Sequence, residues 1–181
     1  MKTQLQSIYR LFAQLLTYPS PDLLPAIHDC QRQLTTDYPE AATAINQFQA
    51  AIANLSLERL KEIYTSTFDV NPVCFPYPGF HLFGENFNRA DFLVKLKQKY
   101  QAHGFTAPEN ELADHLPVML EFLSTLDPDA VLARELVDDC LLPALEKMTA
   151  GFTSDSPYAA VVRSLLKVLQ SSYQPVPVAV G

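Results

Sequence analysis

Residues 5–16 read LQSIYRLFAQLL, and their apolar side chains recur at steps of three and four residues. This spacing places those side chains on one face of an α-helix, because an α-helix completes a turn every 3.6 residues. The set comprises Leu5, Ile8, Tyr9, Phe12, Leu15 and Leu16. Tyr18-Pro19 ends the helix, since the residue before a proline is disfavoured in the helical conformation. The chain is therefore predicted to begin with an amphipathic helix that covers a core.

The same three- and four-residue period continues along the chain and predicts helices from end to end. Seven further helix starts follow from capping residues and first-turn prolines. They are Ser20-Pro21, Pro39, Ser56, Asn86, Asp114, Asp127-Pro128 and Ser156-Pro157. The helix that begins at Asp127 contains Pro143, which should kink or restart it, because proline removes a helical hydrogen bond. The predicted fold class is all-α, a single compact bundle of seven to eight helices that forms one domain over residues 1–173.

A long aromatic and proline-rich loop is predicted at about residues 69–85, where the helical period stops. The segment reads DVNPVCFPYPGFHLFGE and contains three prolines and two glycines. Loops of more than about 12–15 residues are uncommon inside compact domains and often carry function. The tail from Gln174 to Gly181 is also punctuated by prolines, and we expect it to be flexible.

The net charge of −7 is concentrated in the last third of the chain. Residues 111–181 carry 4 basic and 10 acidic side chains, whereas residues 1–110 are almost balanced with 9 and 10. An acidic field would repel a phosphate backbone, so the charge argues against nucleic acid as a partner. It would attract a basic peptide, although solubility alone also accounts for an acidic surface.

Three cysteines, Cys30, Cys74 and Cys140, stand far apart and form no CxxC pair. This pattern predicts neither a disulfide framework nor a cysteine-rich zinc site, and each thiol is expected to be buried and reduced. Reduced thiols fit a cytoplasmic location. The first 17 residues lack the apolar core of a signal peptide, and no run approaches the roughly 18 apolar residues of a membrane span.

No motif for nucleotide or catalytic chemistry is present in the sequence. It contains no Gly-x-Gly, no Gly-Lys pair, no Gly-x-Ser-x-Gly and no His-Glu-x-x-His. Glu111 and His115 lie four residues apart without a second copy, so a di-iron bundle is not expected. We therefore predict no catalytic residues, no bound metal and no enzyme activity. The competing enzyme hypothesis is a small hydrolase that uses Asp114, His115 and Glu121 as acid and base.

The densest polar cluster is a turn over residues 111–115, which reads ELADH. Residues 106–109 match a capping box that would begin the next helix early, but Pro117 would then lie deep inside that helix. We favour Asp114 as the N-cap and His115 as the first helical residue, because Pro117 then falls in the first turn. His115 would face the apolar side of this helix. It could pack there as a structural imidazole or form the polar floor of a binding groove.

Several of these stretches together resemble the NarJ branch of the redox-enzyme maturation chaperones, a family related to the TorD and DmsD groups. The resemblance is carried by Tyr9 to Phe12, Tyr18-Pro19, Tyr64 to Pro72, His81 to Gly84, Arg89, and Asp114 to Leu123. A family motif of the form aromatic-x-x-Leu-Phe is matched by Tyr64 and Phe68, with Thr67 in place of the leucine. A Glu-Pro-x-Asp-His motif is matched by Glu111, Asp114 and His115, with Leu112 in place of the proline.

The resemblance implies an all-helical, cytoplasmic, non-enzymatic chaperone for a molybdoenzyme. Such a chaperone binds the N-terminal segment of an unfinished catalytic subunit, with a nitrate reductase large subunit as the favoured client. It holds that segment while the molybdenum cofactor, bis-molybdopterin guanine dinucleotide, is inserted into the client, and it binds no cofactor stably itself. Cofactor-biosynthesis proteins are further candidate partners, and the chain is expected to be a monomer or a weak or domain-swapped dimer.

The resemblance also assigns a peptide-binding groove between the fourth helix, the aromatic loop and the 111–115 turn. Its predicted residues are Tyr64, Phe68, Pro72, His81, Phe83, Glu111, Asp114, His115 and Phe122. An amphipathic helix seated in an apolar groove is a common mode of peptide recognition. Pairing of Asp114 or Glu111 with a peptide cation is a further hypothesis, as is the acceleration of binding by the acidic field. A small-ligand or nucleotide-binding sensor and a structural bundle without a partner are the remaining alternatives.

Overall fold

The computed structural model describes residues 2–152 and 155–173, and within these ranges every regular element is helical. The bounds are α1 Lys2–Leu15, α2 Leu23–Leu34, α3 Pro39–Ile52, α4 Leu57–Phe68, α5 Pro78–Phe83, α6 Phe87–Ala102, α7 Leu116–Thr125, α8 Val131–Leu136, α9 Leu142–Gly151 and α10 Pro157–Ser172. A π-helical turn, Val137–Leu141, joins α8 to α9. When α8, this turn and α9 are counted as one continuous helix, the described residues form nine helices. The all-α prediction is confirmed. None of these helices is both long enough and apolar enough to span a bilayer.

Two groups of helices form the core. Helix α1 packs between α2 and α7, and α10 packs on α3 and α9, while α2 also contacts α3. Most of the largest fully buried side chains come from these helices, among them Tyr9, Phe12, Phe48, Phe122 and Tyr158. A single cluster of buried apolar residues runs through both groups, because each amphipathic helix must cover its apolar face against a neighbour.

Local signals account for most helix ends. Ser56 is confirmed as the N-cap of α4, since its Oγ accepts a hydrogen bond from the Arg59 N–H at 3.1 Å. Gly104 follows α6 with φ of 66°, a conformation that favours glycine. The prediction that Ser20 caps α2 is wrong: α2 begins at Leu23, and the Ser20 Oγ instead accepts from the Asp22 N–H at 3.3 Å.

Pro143 restarts the seventh predicted helix, as expected from its sequence. The π turn ends where the Leu142 N–H donates to the Val137 carbonyl, five residues back. Pro143 then lies in the first turn of α9, where its missing N–H removes no helical hydrogen bond. The chain thus passes from α8 to α9 without leaving a helical conformation, through a local bulge of the helix.

The predicted loop at 69–85 contains one short helix that the periodicity did not indicate. Helix α5 begins at Pro78, and Gly84, with φ of 69°, ends it after six residues. A segment this short offers too few turns for a helical period to be recognised. The expected flexible tail, 174–181, lies outside the described residues.

Candidate functional site

Asp114 lies at the centre of a polar cluster between α6 and α7. Its side chain has no exposed surface, and it forms a two-point ion pair with Arg89 of α6, at 3.1 Å from Nε to Oδ2 and 3.2 Å from Nη2 to Oδ1. The prediction that Asp114 caps α7 is therefore wrong. His115 occupies the N-cap position without a side-chain hydrogen bond, so α7 begins one residue later than predicted. A buried carboxylate without a charged partner costs more free energy than a helix end without a side-chain cap.

Helix α5 covers this ion pair closely. The Arg89 guanidinium carbon lies 5.5 Å from the centre of the Tyr77 ring and 5.9 Å from that of Phe80, within reach of a cation–π attraction. A Cβ atom at Gly79 would lie 2.5 Å from the Asp114 Oδ2 and 2.9 Å from the Phe92 ring. Gly79 therefore permits the close approach of α5 to the buried carboxylate.

Glu111 organises the turn that precedes Asp114. Its Oε1 accepts from the Tyr77 hydroxyl at 2.9 Å and from the Leu112 N–H at 3.0 Å. Its Oε2 lies 3.5 Å from the His115 Nδ1. Burial lowers the pKa of His115 despite the opposing effect of the Glu111 and Asp114 carboxylates. Burial, together with the hydrogen bond to Glu111, raises the pKa of Tyr77, so its hydroxyl remains a donor.

Two more hydrogen bonds fasten the 75–83 segment to the bundle, and a third joins two residues of the segment itself. The Leu116 N–H at the start of α7 donates to the Pro76 carbonyl at 2.9 Å. The His81 Nε2 lies 2.7 Å from the Phe75 carbonyl, which can only accept, so this nitrogen carries a proton. The Lys147 Nζ of α9 donates to the His81 carbonyl at 3.1 Å. Burial lowers the pKa of the His81 imidazole.

The predicted aromatic residues Tyr64, Phe68 and Phe122 are placed inside the protein. Tyr64 and Phe68 are 8% and 5% exposed and pack against each other and against Tyr158. Phe122 has no exposed surface and contacts the Tyr100 ring at 4.6 Å. The structure therefore does not gather these three side chains with Glu111, Asp114 and His115 on one open surface. Tyr64 and Phe68 form a floor beneath the surface instead.

The exposed apolar side chains near this floor belong to the predicted loop. Val70, Val73, Phe75 and Phe83, which we call the apolar rim, are 61%, 46%, 36% and 36% exposed. The predicted residues Pro72 and His81 lie in the same segment and are partly buried. Because these four exposed apolar residues fall within 14 positions of one segment, the segment is a candidate interaction surface.

A shallow groove of about 480 Å³ leads from Val70 along the outer face of α4 to Tyr18. Tyr18 is 53% exposed, and its ring meets the Tyr64 ring edge-on at 5.5 Å. The sequence showed Tyr18 as the residue that ends the first helix, without assigning it to the site. Its position before Pro19 could have indicated an exposed side chain, because a residue before proline is disfavoured in the helix and so need not follow the apolar face of α1.

The described residues contain little that resembles a catalytic centre. Burial raises the pKa of each thiol, Cys30, Cys74 and Cys140, to about 12, which keeps them protonated at neutral pH. No three His, Cys, Asp or Glu side chains converge as metal ligands in the part of the chain that the structure describes. Asp114 is buried on Arg89 while Glu121 is exposed, so the acid–base set of the enzyme hypothesis is not assembled.

The sequence matches a known family over most of its length. The profile of the family described as "Nitrate reductase delta subunit" covers residues 31–154. The chain belongs to this family. Among its relatives, a protein of Bacillus subtilis described as a probable nitrate reductase molybdenum cofactor assembly chaperone, NarJ, is 29% identical over 170 residues, which are 93% of this chain and 91% of the relative.

Other known proteins match parts of the chain or its fold. The nitrate reductase molybdenum cofactor assembly chaperone NarJ of Escherichia coli is 33% identical over 93 residues, 51% of this chain and 38% of that protein. The nitrate reductase-like protein NarX of Mycobacterium tuberculosis matches 88% of this chain at 26% identity, within 24% of its own length. A crystal structure of a candidate redox enzyme maturation protein from Archaeoglobus fulgidus superimposes with a TM-score of 0.63, covering 91% and 93% of the two chains at 22% identity, and shares the fold.

Proposed function

We propose that this protein is an assembly chaperone for the molybdenum cofactor of a nitrate reductase. The proposal rests on its membership of the delta subunit family and on the NarJ relative that aligns along 93% of the chain. The protein would act in the cytoplasm and without catalysis of its own. It would bind the N-terminal segment of the catalytic subunit and hold it while bis-molybdopterin guanine dinucleotide is inserted into that subunit.

The observation that carries the proposed binding site is the apolar rim, which is exposed and yet held in place. Val70, Val73, Phe75 and Phe83 expose a third or more of their surface, while the neighbouring Pro76 and His81 carbonyls accept hydrogen bonds from the bundle. A pre-formed apolar surface loses little conformational entropy when a peptide binds. An amphipathic client helix could lay its apolar side on the rim and extend into the groove beside Tyr18.

The polar cluster has a supporting role in this proposal. Because Asp114 is buried against Arg89, a client cation would meet Glu111, whose side chain is 27% exposed. Asp114 would instead hold α5 in position and so present the rim. The acidic surface of residues 111–181 would increase the rate of encounter with a basic client segment.

The proposal can be tested by calorimetric titration with a synthetic peptide. The peptide is the N-terminal segment of the nitrate reductase catalytic subunit from the same organism. The wild-type chain should bind it, and Phe75→Ser and Phe83→Ser should each weaken binding by about tenfold or more, as expected for central apolar anchors. The matched control is Val131→Ser on α8, where the valine is 74% exposed but outside the rim.

The cellular consequence provides an independent test of the function. A strain without this protein should accumulate nitrate reductase with little molybdenum, and the wild-type chain should restore the metal content while Phe75→Ser should not. Full molybdenum content in the deletion strain would refute the assembly function. Equal peptide binding by wild type, Phe75→Ser and Phe83→Ser would keep the function and exclude the rim as the site.

A further inference from the structure

A second depression adjoins the groove along α4 at Tyr18. It has a volume of about 230 Å³ and lies between the end of α1, the start of α2 and the outer face of α7, and we call it the α1–α2 cavity. The side chain of Tyr18 borders both depressions, whereas no residue of α4 borders the cavity. The groove and the cavity therefore meet at this exposed ring and form one surface that begins at Val70 of the apolar rim.

Two carboxylates line the α1–α2 cavity, and no basic residue does. Asp22 stands at the N-cap position of α2, but its side chain accepts no hydrogen bond from the helix end. Glu121 is exposed on α7, and neither carboxylate has an ion-pair partner among the described residues. Arg10, one turn before Gln14 on α1, donates to the Ser124 Oγ at 3.3 Å instead. The cavity thus presents uncompensated negative charge beside an aromatic ring.

The carboxylates that border the groove along α4 are in a different state. Glu58 pairs with Lys61 at 2.9 Å, and Glu62 pairs with Arg59 at 2.6 Å. Paired charges of this kind attract a further cation only weakly, because the two signs nearly cancel at a distance. The surface therefore changes along its length, from apolar at Val70, through neutralised charges, to uncompensated negative charge in the cavity.

We propose that the α1–α2 cavity receives a cationic side chain of the client helix and so fixes the direction in which that helix lies. This inference rests on the proposed function. Val70 and Tyr64, the residue of α4 that contacts Tyr18, are six positions apart, which is about 9 Å along a helix. The apolar anchors of the client lie on the rim, and its cation follows about two to three helical turns further on, within reach of the Tyr18 ring and of both carboxylates.

This arrangement gives the surface a means of selecting its client. The apolar rim alone would accept an amphipathic helix in either direction, because apolar contacts are not directional. A cation at one end of the bound segment matches the cavity in only one of the two directions. A client helix without that charge, or with an acidic residue in its place, loses part of its affinity although its apolar side is unchanged.

Neutralisation of the cavity tests the role of its charge. The probe is the N-terminal segment of the nitrate reductase catalytic subunit from the same organism, acetylated at its amino end and titrated calorimetrically. Asp22→Asn/Glu121→Gln should weaken binding by about fivefold or more, as expected for two partly exposed charge pairs lost together. The matched control, Asp138→Asn/Asp139→Asn, removes two exposed carboxylates from the π turn and should change the dissociation constant by less than about twofold.

A set of peptide variants identifies the side chain that enters the cavity. Each lysine or arginine of the peptide is replaced in turn by glutamine. One replacement should weaken binding to the wild-type chain as Asp22→Asn/Glu121→Gln does, and should cause little further loss in that variant, because the two changes remove the same contact. Tyr18→Ala should also weaken binding by about fivefold or more, whereas Tyr18→Phe, which keeps the ring, should bind within about twofold of wild type.

The outcomes separate this inference from the proposed function. Binding that responds to Phe75→Ser but not to Asp22→Asn/Glu121→Gln keeps the function and overturns the inference, as does a peptide set in which every effect simply multiplies. A free amino end that strengthens binding only when Asp22 and Glu121 are present would assign the cavity to that amine and overturn the side-chain contact. No binding by the wild-type chain would overturn both the rim and the cavity, and the molybdenum content of the deletion strain would then decide the function alone.

Discussion

Helices α10 and α6 have the same length, 16 residues, but they are held in the protein by different forces. Helix α10 buries ten residues, nearly all of them apolar, between α3 and α9. Helix α6 buries two, Leu96 and Tyr100. Its N-terminal half is attached by the Arg89–Asp114 ion pair and by the Asn86 Nδ2, which donates to the Phe83 carbonyl of α5 at 2.6 Å. Burial of apolar surface holds the first helix, and directional polar contacts hold the second.

The difference locates the part of the molecule that is best suited to change on binding. Apolar burial is distributed over many contacts, so α10 can leave only when the whole core opens. The α5–α6 region depends on a few specific bonds, and it contains Phe83 of the apolar rim and follows the other three rim residues directly. A segment held in this way can be rigid in the free protein and can still adjust to a client without global unfolding.

The largest expected effect is the loss of a core side chain from α10. Leu165→Ala removes a side chain with no exposed surface and should lower the free energy of unfolding by about 2–5 kcal/mol. Val94→Ala on the outer face of α6 should change it by no more than about 0.5 kcal/mol. Urea unfolding of dilute protein measures both. Similar losses for the two variants would remove the contrast between the helices.

Loss of the buried ion pair should have an intermediate and local effect. Arg89→Met leaves the Asp114 carboxylate buried without a partner, which would cost about 3–5 kcal/mol in a rigid structure. Because α5 and the start of α6 can open and hydrate the carboxylate, we expect about 2–3 kcal/mol of lost hydrogen-exchange protection over residues 76–102. Protection in α10 should change little.

A double variant tests whether the lost protection comes from the unpaired charge of Asp114 or from the altered packing at Arg89. Arg89→Met/Asp114→Asn removes both charges and should recover part of the lost protection, because no buried carboxylate is left unpaired. If the two substitutions simply add, Arg89 and Asp114 are not coupled. Equal loss of protection in α10 and in residues 76–102 would show that the pair stabilises the whole core.

The smallest expected effect is a dependence on pH. Burial lowers the pKa of His115, so the unfolded chain binds this proton more readily below the ordinary histidine pKa of about 6.5. Its contribution to stability is complete well above that pKa and is lost as the pH falls below it, and the loss is limited because Glu111 opposes the shift. His115→Gln should flatten this part of the stability profile, measured by denaturation at each pH. His103→Gln, at an exposed position after α6, should leave the profile as in wild type.

The core could be predicted from the sequence because its signals are local and repeated. The apolar positions of α1 and α10 recur every three or four residues, and Ser56, Pro143 and Ser156-Pro157 mark helix ends or interruptions through their own backbone chemistry. Parts of the candidate site lacked such signals. Helix α5 spans only six residues, and the cap assigned to Asp114 followed from its position before Pro117 without regard to distant charges.

The sequence by itself determined the all-helical class, most helix starts and the family motifs around residues 64–72, 81–84 and 111–115. Only the tertiary structure decided which motif side chains are exposed. It packs Tyr64 and Phe68 against the buried Tyr158, and it pairs Asp114 with Arg89, which lies 25 positions earlier on α6. Helical period and capping depend on neighbours within about four residues. Burial and ion pairing depend on which helices meet, and that is settled by the packing of the whole chain.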